Sequence, residues 1–170
     1  MMAGQDTRRP RSARGDTTMV TLSLGGELVG IPTGILREVI EPGTITRVPN
    51  ASAFCGGLFN VRGAVVPLTD LRIPLRMRIS PPTEETRILV LDVVLDGTPA
   101  VVGILAEEVH EVTEVSGASL EEVPTVGARW PRHFVEAIGR KGDRFFLIPD
   151  LDAIFSEHLS SSEAVVALHA

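Results

Sequence analysis

The chain has 170 residues, 44% of them hydrophobic, with a single cysteine and a formal net charge of −6. This length suits one ordinary domain or two small ones in close contact, and no apolar run approaches the roughly 20 residues needed to span a bilayer. The lone Cys55 excludes an internal disulfide framework, and with the lack of an apolar N-terminal stretch it predicts a cytoplasmic protein without direct membrane insertion.

The first 18 residues differ in charge from the rest of the chain. They contain four arginines and two aspartates, and the remaining residues include 12 basic and 20 acidic side chains, a net charge of −8. Phosphate binding requires clustered positive charge, so the acidic body argues against nucleic acid as a main partner. Residues 1–18 are polar and lack apolar periodicity, which predicts a disordered basic tail, with a solubilising role favoured over a binding arm.

Short strands dominate the first half of the chain. Five are predicted, at residues 19–24, 27–31, 36–40, 58–61 and 64–68. The dipeptide Gly25-Gly26 predicts a tight hairpin turn between the first two strands. Small residues and a capping asparagine predict a short helix at 49–55, and Asp70 can cap a brief helical turn through Arg72.

The second half begins after a turn-rich linker at residues 79–85, where two prolines exclude regular structure. Strands are predicted at residues 87–95, 100–105, 108–112, 134–139 and 144–148. The first of them is too apolar for a half-exposed strand, so we expect it to be buried on both faces. Helical spacing of apolar residues predicts a closing helix at 151–159, and residues 160–170 are predicted to be a frayed helix or tail.

One segment recurs in degraded form. Residues 54–71 read FCGGLFNVRGAVVPLTDL, and residues 134–151 read FVEAIGRKGDRFFLIPDL. Both begin with a phenylalanine, pass a basic residue and glycine, and end in proline, aspartate and leucine. This repeat predicts a small β unit built twice. About five strands in each half suit a small barrel, and a barrel of this size is marginal alone, so the two halves are expected to share a core.

The sequence contains no pattern that requires catalysis, so no catalytic, cofactor or metal site is predicted. Cys55 has no neighbouring histidine, and the four histidines are scattered rather than spaced as zinc ligands. Asp70 and Asp150 each follow a strand and are expected to cap turns, although a catalytic carboxylate pair is an alternative. Six glutamates between residues 107 and 122 form an acidic strip that is either a solvated face or a docking surface.

A polar hairpin tip between two apolar strands is the candidate interaction site. Gly63 can supply a positive φ, and Asn60 can hydrogen-bond the turn backbone, so these two residues are expected to shape the hairpin. Arg62 is not needed to make a turn. It is either a surface arginine whose hydrogen bonds are already made, or a guanidinium placed to donate two hydrogen bonds to a partner's carbonyl or carboxylate.

The stretch GLFNVRGAVVPLTDLR, residues 57–72, resembles the N-L-R-G-x-x-[VI]-P-[VI]-x-D-L-R signature of CheW-type chemotaxis coupling proteins. Flanking similarity extends this resemblance over residues 19–159. It implies an all-β fold of two intertwined five-stranded SH3-like barrels with a shared core and short helices between them and at the C-terminus. Residues 87–148 would mainly form the second barrel.

The resemblance also implies a function and a set of contact residues. The chain would be a non-enzymatic adaptor between the cytoplasmic hairpin tip of methyl-accepting chemoreceptors and the regulatory domain of the histidine kinase CheA. The implied receptor-binding residues are Leu36, Glu38, Val61 and Arg62. The implied kinase-binding residues are Val39, Ile40 and Thr44. A coupling protein for surface motility or gene expression is an alternative within the same class, and a small β-barrel enzyme or ligand-binding protein is an alternative outside it.

Overall fold

The computed structural model describes residues 15–124 and 129–159, which contain eleven strands and one α-helix. The strands are β1 (Thr17–Leu24), β2 (Glu27–Pro32), β3 (Leu36–Ile40), β4 (Thr46–Arg47), β5 (Gly57–Val61), β6 (Ala64–Thr69), β7 (Arg87–Leu95), β8 (Thr98–Ala106), β9 (Glu108–Val115), β10 (Val135–Lys141) and β11 (Arg144–Pro149). The helix α1 spans Leu151–His158. The predicted all-β fold and closing helix are confirmed, and β1 begins before the predicted start at Met19. The predicted tails lie largely outside the described residues.

The strands form two sheets that both draw on the two halves of the chain. The five-stranded sheet has the order β10-β11-β2-β1-β9, and the six-stranded sheet has the order β3-β7-β8-β6-β5-β4. Parallel pairing of β11 with β2 and of β6 with β8 joins the halves within each sheet. Residues 87–148 are therefore divided between the sheets, because β7 and β8 pair with first-half strands. The five-stranded sheet takes three of its strands, β9, β10 and β11, from this range. That the second barrel comes mainly from residues 87–148 stays a prediction, as does barrel closure.

The main hydrophobic core is shared by the two sheets. It contains Leu22 of β1, Leu89 of β7, Leu147 of β11 and Phe155 of α1, all at most 2% exposed. The prediction that β7 is buried on both faces holds for its first part, since all four residues of 88–91 are fully buried. Burial on both faces explains why this strand reads as a continuous apolar run rather than an alternating one.

The buried aromatic ring of Phe146 shows how tightly the five-stranded sheet is packed. A Cβ atom added to Gly30 of β2 would lie 2.8 Å from this ring, and one added to Gly139 of β10 would lie 2.2 Å from it. Strands β2 and β10 flank β11, which carries Phe146. The ring thus lies over two glycines on neighbouring strands, and any side chain at those positions would displace it.

The duplicated segment is visible in the hydrogen bonds. The amide of Asp70 donates to the carbonyl of Phe54 at 2.9 Å, and the amide of Asp150 donates to that of Phe134 at 2.8 Å. Asp70 begins a series of turns, whereas the Asp150 side chain caps α1 by accepting from the amide of Ala153. Equivalent residues of the two copies are therefore 80 positions apart in sequence. With this spacing Arg62 aligns with Gly142, and not with Lys141 as a match of the basic residues would suggest.

The short helix predicted at residues 49–55 is wrong. This stretch is a loop of turns and bends, closed by a hydrogen bond from the amide of Val48 to the carbonyl of Gly56 at 3.0 Å. Asn50 has a φ of 63°, in the left-handed region that interrupts a right-handed helix. The side chain of Ser52 accepts from the amide of Cys55. Local side-chain and cross-loop bonds therefore replace the helical ones.

Among the described helices, α1 included, none combines the length and apolar character needed to cross a membrane. In the same part of the chain, the His, Cys, Asp and Glu side chains do not come together in a group of three that could hold a metal ion.

Candidate functional site

The candidate site is the tip of the β5–β6 hairpin. Val61 pairs with Ala64, so the loop consists of Arg62 and Gly63, whose φ angles are 52° and 87°. Positive φ at both loop positions is the geometry of a tight hairpin turn that follows the twist of the strands. The Asn60 side chain accepts a hydrogen bond from the amide of Gly63 at 3.0 Å, as expected for the two hairpin-shaping residues.

Arg62 and Glu38 form a forked ion pair at this tip. The Arg62 Nε and Nη2 atoms donate to the two carboxylate oxygens of Glu38 at 3.4 and 3.2 Å. The arginine side chain is 83% exposed and the glutamate side chain 23% exposed. Hydrogen bonding to Glu38, and then the charge of that carboxylate, raise the pKa of Arg62, so the guanidinium stays charged at any physiological pH.

This ion pair connects distant parts of the six-stranded sheet. Glu38 lies on β3, at the opposite end of the strand order from the β5–β6 hairpin. The sheet must therefore curl for Glu38 to reach Arg62. A small hydrophobic cluster beneath the pair fills the space inside the curl, with Ile40 of β3 and Val61 of β5 packed against buried residues that include Phe59.

Three of the four predicted receptor-binding residues lie together. Glu38 contacts Arg62, and Val61 precedes that arginine and packs into the cluster below. Leu36 shares the inward face of β3 with Glu38, but it is half-buried and packs against the main core. An irregularity in the pairing of β3 with β7 lies between these two residues. Leu36 thus differs from the other three in packing against the main core.

The three predicted kinase-binding residues do not form one surface patch. Val39 is 40% exposed on the outer face of β3, whereas Ile40 points to the opposite face and is half-buried. Thr44 is exposed in the irregular segment between β3 and β4. Alternation along a strand separates neighbouring side chains in this way.

A buried ion network around Arg72 lies behind the hairpin. The Arg72 side chain is 6% exposed, and its Nε and Nη2 atoms each donate to one oxygen of Asp70 at 2.9 Å. Its Nη1 atom donates to the Glu107 carboxylate at 3.0 Å and to the carbonyl of Ser80 at 3.1 Å. Sequence reasoning assigned Arg72 only to the end of a turn. The one available signal was its place two residues after Asp70, where the second copy has Asp152 instead.

The same network determines the ionisation of Glu107. Burial acts to raise the pKa of Glu107, but hydrogen bonds from the Gly25 backbone, the Arg72 guanidinium and the Ser80 hydroxyl outweigh it and lower the pKa below its ordinary value. Gly25 belongs to the β1–β2 turn in the other sheet, so the network ties the two sheets together. Only glycine fits there, because an added Cβ would lie 2.4 Å from Cβ of Met77. The predicted acidic strip therefore includes one glutamate, Glu107, whose side chain is largely buried and bound within the chain.

The two aspartates considered as a catalytic pair have separate structural tasks. Asp70 binds Arg72 and accepts from that residue's amide at 3.0 Å. Asp150 caps α1. Each carboxylate is occupied in its own turn, so the geometry favours a structural role for both and offers no support for a joint catalytic site.

Comparison with known proteins identifies relatives along nearly the whole described chain. The model of the CheW-like domain family matches residues 18–159. A probable chemotaxis protein CheW from Rhizobium etli is 28% identical over 151 residues, covering 89% of this chain and 94% of that protein. The chemotaxis protein CheW of Klebsiella aerogenes is 26% identical, with 86% and 87% covered. The crystal structure of the scaffolding protein TtCheW from Thermoanaerobacter tengcongensis superposes with a TM-score of 0.72 at 26% identity, covering 87% of this chain and 96% of that one.

Proposed function

The chain belongs to the CheW-like domain family, and on that premise we propose that it is a non-enzymatic scaffold coupling the cytoplasmic tips of chemoreceptors to the histidine kinase CheA. Its relatives are named chemotaxis proteins, and one solved relative is named a scaffolding protein. The protein would act in the cytoplasm, held at receptor arrays through these partners. The exposed forked pair of Arg62 and Glu38 at the hairpin tip is the observation that carries the proposal.

The receptor would bind at the hairpin tip. The side chain of Arg62 is 83% exposed, and its guanidinium is held by one carboxylate at 3.2–3.4 Å. An exposed ion pair of this kind contributes little to stability, so its arginine can turn to a partner's carbonyl or carboxylate at little cost. Val61 would provide apolar contact beside it, with Leu36 at the margin, while Asn60 and Gly63 keep the tip in shape.

The kinase would bind near Val39, Ile40 and Thr44, close to β3, the strand that also carries Glu38. Val39 is the exposed apolar residue of β3 and would make the main contact. Since Ile40 faces inward, its contribution would be to position Val39 and the segment that leads to Thr44. A scaffold of this type needs two neighbouring surfaces and no reacting group.

Charge reversal at the tip tests the receptor surface. Arg62→Glu places a carboxylate opposite Glu38, and we expect the receptor hairpin to bind at least about tenfold more weakly, a loss of about 1.4 kcal/mol. The measurement is titration of a purified receptor cytoplasmic hairpin, alone and with the kinase regulatory domain, against each variant. The matched control is Arg37→Glu, because Arg37 lies on the outer face of β3 in an exposed pair with Asp92 at 2.7 Å.

Three outcomes decide between the parts of the proposal. Weaker receptor binding by Arg62→Glu alone, with kinase binding intact, supports the assignment of the tip. Equal binding by both variants and the unsubstituted protein would refute that assignment. No binding of the unsubstituted protein to either partner would refute the scaffold function itself.

A further inference from the structure

An apolar row crosses one end of the six-stranded sheet, beside the hairpin tip. It has one residue on each of the neighbouring strands β5, β6, β8 and β7, namely Val61, Ala64, Pro99 and Val94. Val61 pairs with Ala64 in the β5–β6 hairpin. Pro99 pairs with Val94 in the β7–β8 hairpin. Val94 is 59% exposed and Val61 is half-buried, and the other two residues are exposed. The row is therefore open to water over most of its length.

The parallel pairing of β6 with β8 joins the two halves of the row. Leu68 lies opposite Gly103, an offset of 35 residues. Continued back along both strands, this offset brings Ala64 opposite Pro99. Residues in register on neighbouring strands share a face of the sheet, so the whole row lies on the face that carries the small hydrophobic cluster around Phe59. The row thus extends that cluster to the open rim of the sheet.

The two hairpin turns at this end of the sheet have the same form. The loop residues Arg62 and Gly63 have φ angles of 52° and 87°, and Asp96 and Gly97 have φ angles of 50° and 78°. Positive φ at both loop positions is the geometry of a tight hairpin turn. Each turn lies just beyond the row, and the first loop residue of each is exposed. The two ends of the row therefore carry opposite charges, a cation beside β5 and a carboxylate beside β7.

We propose that one helix of the chemoreceptor's cytoplasmic hairpin binds along this apolar row, as an extension of the contact at Arg62. This extension rests on the scaffold function proposed above. Three spacings between neighbouring strands span about 14 Å, which matches about two and a half turns of an α-helix. Such a helix would present apolar residues three or four positions apart to the row and remove Val94 and Pro99 from water. A carboxylate near Arg62 and a cation near Asp96 would fix its direction.

The position of Val61 assigns the row to the receptor rather than to the kinase. Val61 is both the first member of the row and a residue of the proposed receptor contact, so the two surfaces are continuous. Val39, the main residue of the proposed kinase contact, pairs with Leu89, whose side chain is buried in the main core on the opposite face of the sheet. The kinase surface and the apolar row therefore lie on different faces.

The substitution Val94→Asp tests the row at its most exposed member. We expect a purified receptor cytoplasmic hairpin to bind the full-length variant at least about fivefold more weakly, because a charge replaces apolar surface that the helix would bury. The matched control is Val112→Asp, since Val112 is 61% exposed on β9 of the other sheet. The control should leave the receptor affinity unchanged, and both variants should keep the thermal midpoint of the unsubstituted protein.

A photo-cross-linking residue in place of Pro99 gives an independent measurement. We expect it to cross-link to the receptor hairpin, and the same residue in place of Val112 not to do so. Cross-links from position 99 to the kinase regulatory domain, or to a second copy of this chain, would overturn the assignment. Equal receptor affinities of Val94→Asp and Val112→Asp would overturn it too, and a loss of binding confined to Arg62→Glu would then leave the scaffold function standing without the row. Failure of the unsubstituted protein to bind the receptor hairpin would instead refute the proposed function together with this extension.

Discussion

Removing the guanidinium of Arg72 should destabilise the whole fold, although this residue lies outside the proposed contact surface. The perturbation is Arg72→Met, which keeps the length and the apolar stem of the side chain. The substitution deletes the donors to Asp70, Glu107 and the Ser80 carbonyl, and it leaves two carboxylates in a largely buried site.

The size of the effect follows from burial and from the partners that remain. Breaking a buried ion pair by removing one partner costs about 3–5 kcal/mol. Asp70 and Glu107 side chains are each 21% exposed, and each keeps other donors, the Arg72 amide for the first and Gly25 and Ser80 for the second. We therefore expect a loss of about 2–4 kcal/mol, a large part of the stability of a domain of this size. Arg72→Lys keeps the charge but not the fork and should lose about 1–2 kcal/mol.

Urea unfolding followed by the fluorescence of Trp130 measures this loss. Trp130 is the single tryptophan of the chain, and its indole nitrogen donates to the carboxylate of Glu27 at 2.7 Å, so its surroundings change on unfolding. The control is Arg62→Met, which removes an arginine side chain that is 83% exposed and should leave the free energy of unfolding nearly unchanged. Equal midpoints for Arg72→Met and Arg62→Met, at unchanged denaturant slopes, would refute the role of the network.

Two further changes probe the same body. The pKa of Glu107 is lowered in the folded protein, so its stabilising contribution is present above the ordinary value of 4.5 and is lost as pH falls through the lower folded value. In Glu107→Gln the midpoint of unfolding should therefore fall less steeply as the pH is lowered below 4.5 than it does in the unsubstituted protein. An equally steep fall in the two proteins would contradict the pKa assignment. Gly139→Ala should lower the free energy of unfolding by about 1–3 kcal/mol, because the added Cβ would lie 2.2 Å from the Phe146 ring. The control is Gly43→Ala, where an added Cβ has no atom within 4 Å and stability should change little. Similar thermal midpoints for the two variants would count against the packing described.

Local signals in the sequence predicted the elements of this fold, because the physical causes of those elements are local. The pair Gly25-Gly26 adopts two positive φ angles and joins β1 to β2, as its composition requires. The apolar run at residues 88–91 is buried on both faces. The incorrect helix at 49–55 arose because propensity does not show that Asn50 turns the chain into the left-handed region.

The arrangement of the elements depends on contacts that no local pattern contains. Strands β7 and β8 were expected to stay with the later strands, but they pair with β3 and β6. Arg72 and Glu107 are 35 residues apart in sequence, and Gly25, which also bonds Glu107, is farther away still, so composition did not indicate these partners. Resemblance named Glu38 and Arg62 as contact residues, and the structure adds that they contact each other.

Comparison of the two copies of the repeated hairpin gives a physical reason to regard Arg62 as a contact residue. Counting back from the aspartates aligns Arg62 with Gly142, and these residues have similar φ angles of 52° and 59°. A residue with a Cβ pays about 1 kcal/mol or more in this region, whereas glycine does not. The second copy follows this preference, and its neighbouring cation, Lys141, is paired with Glu111 on β9. The first copy keeps an arginine in the strained position, exposed at the tip and held by one carboxylate. Backbone preference alone favours glycine there, and this supports the proposal that the Arg62 guanidinium contacts a partner.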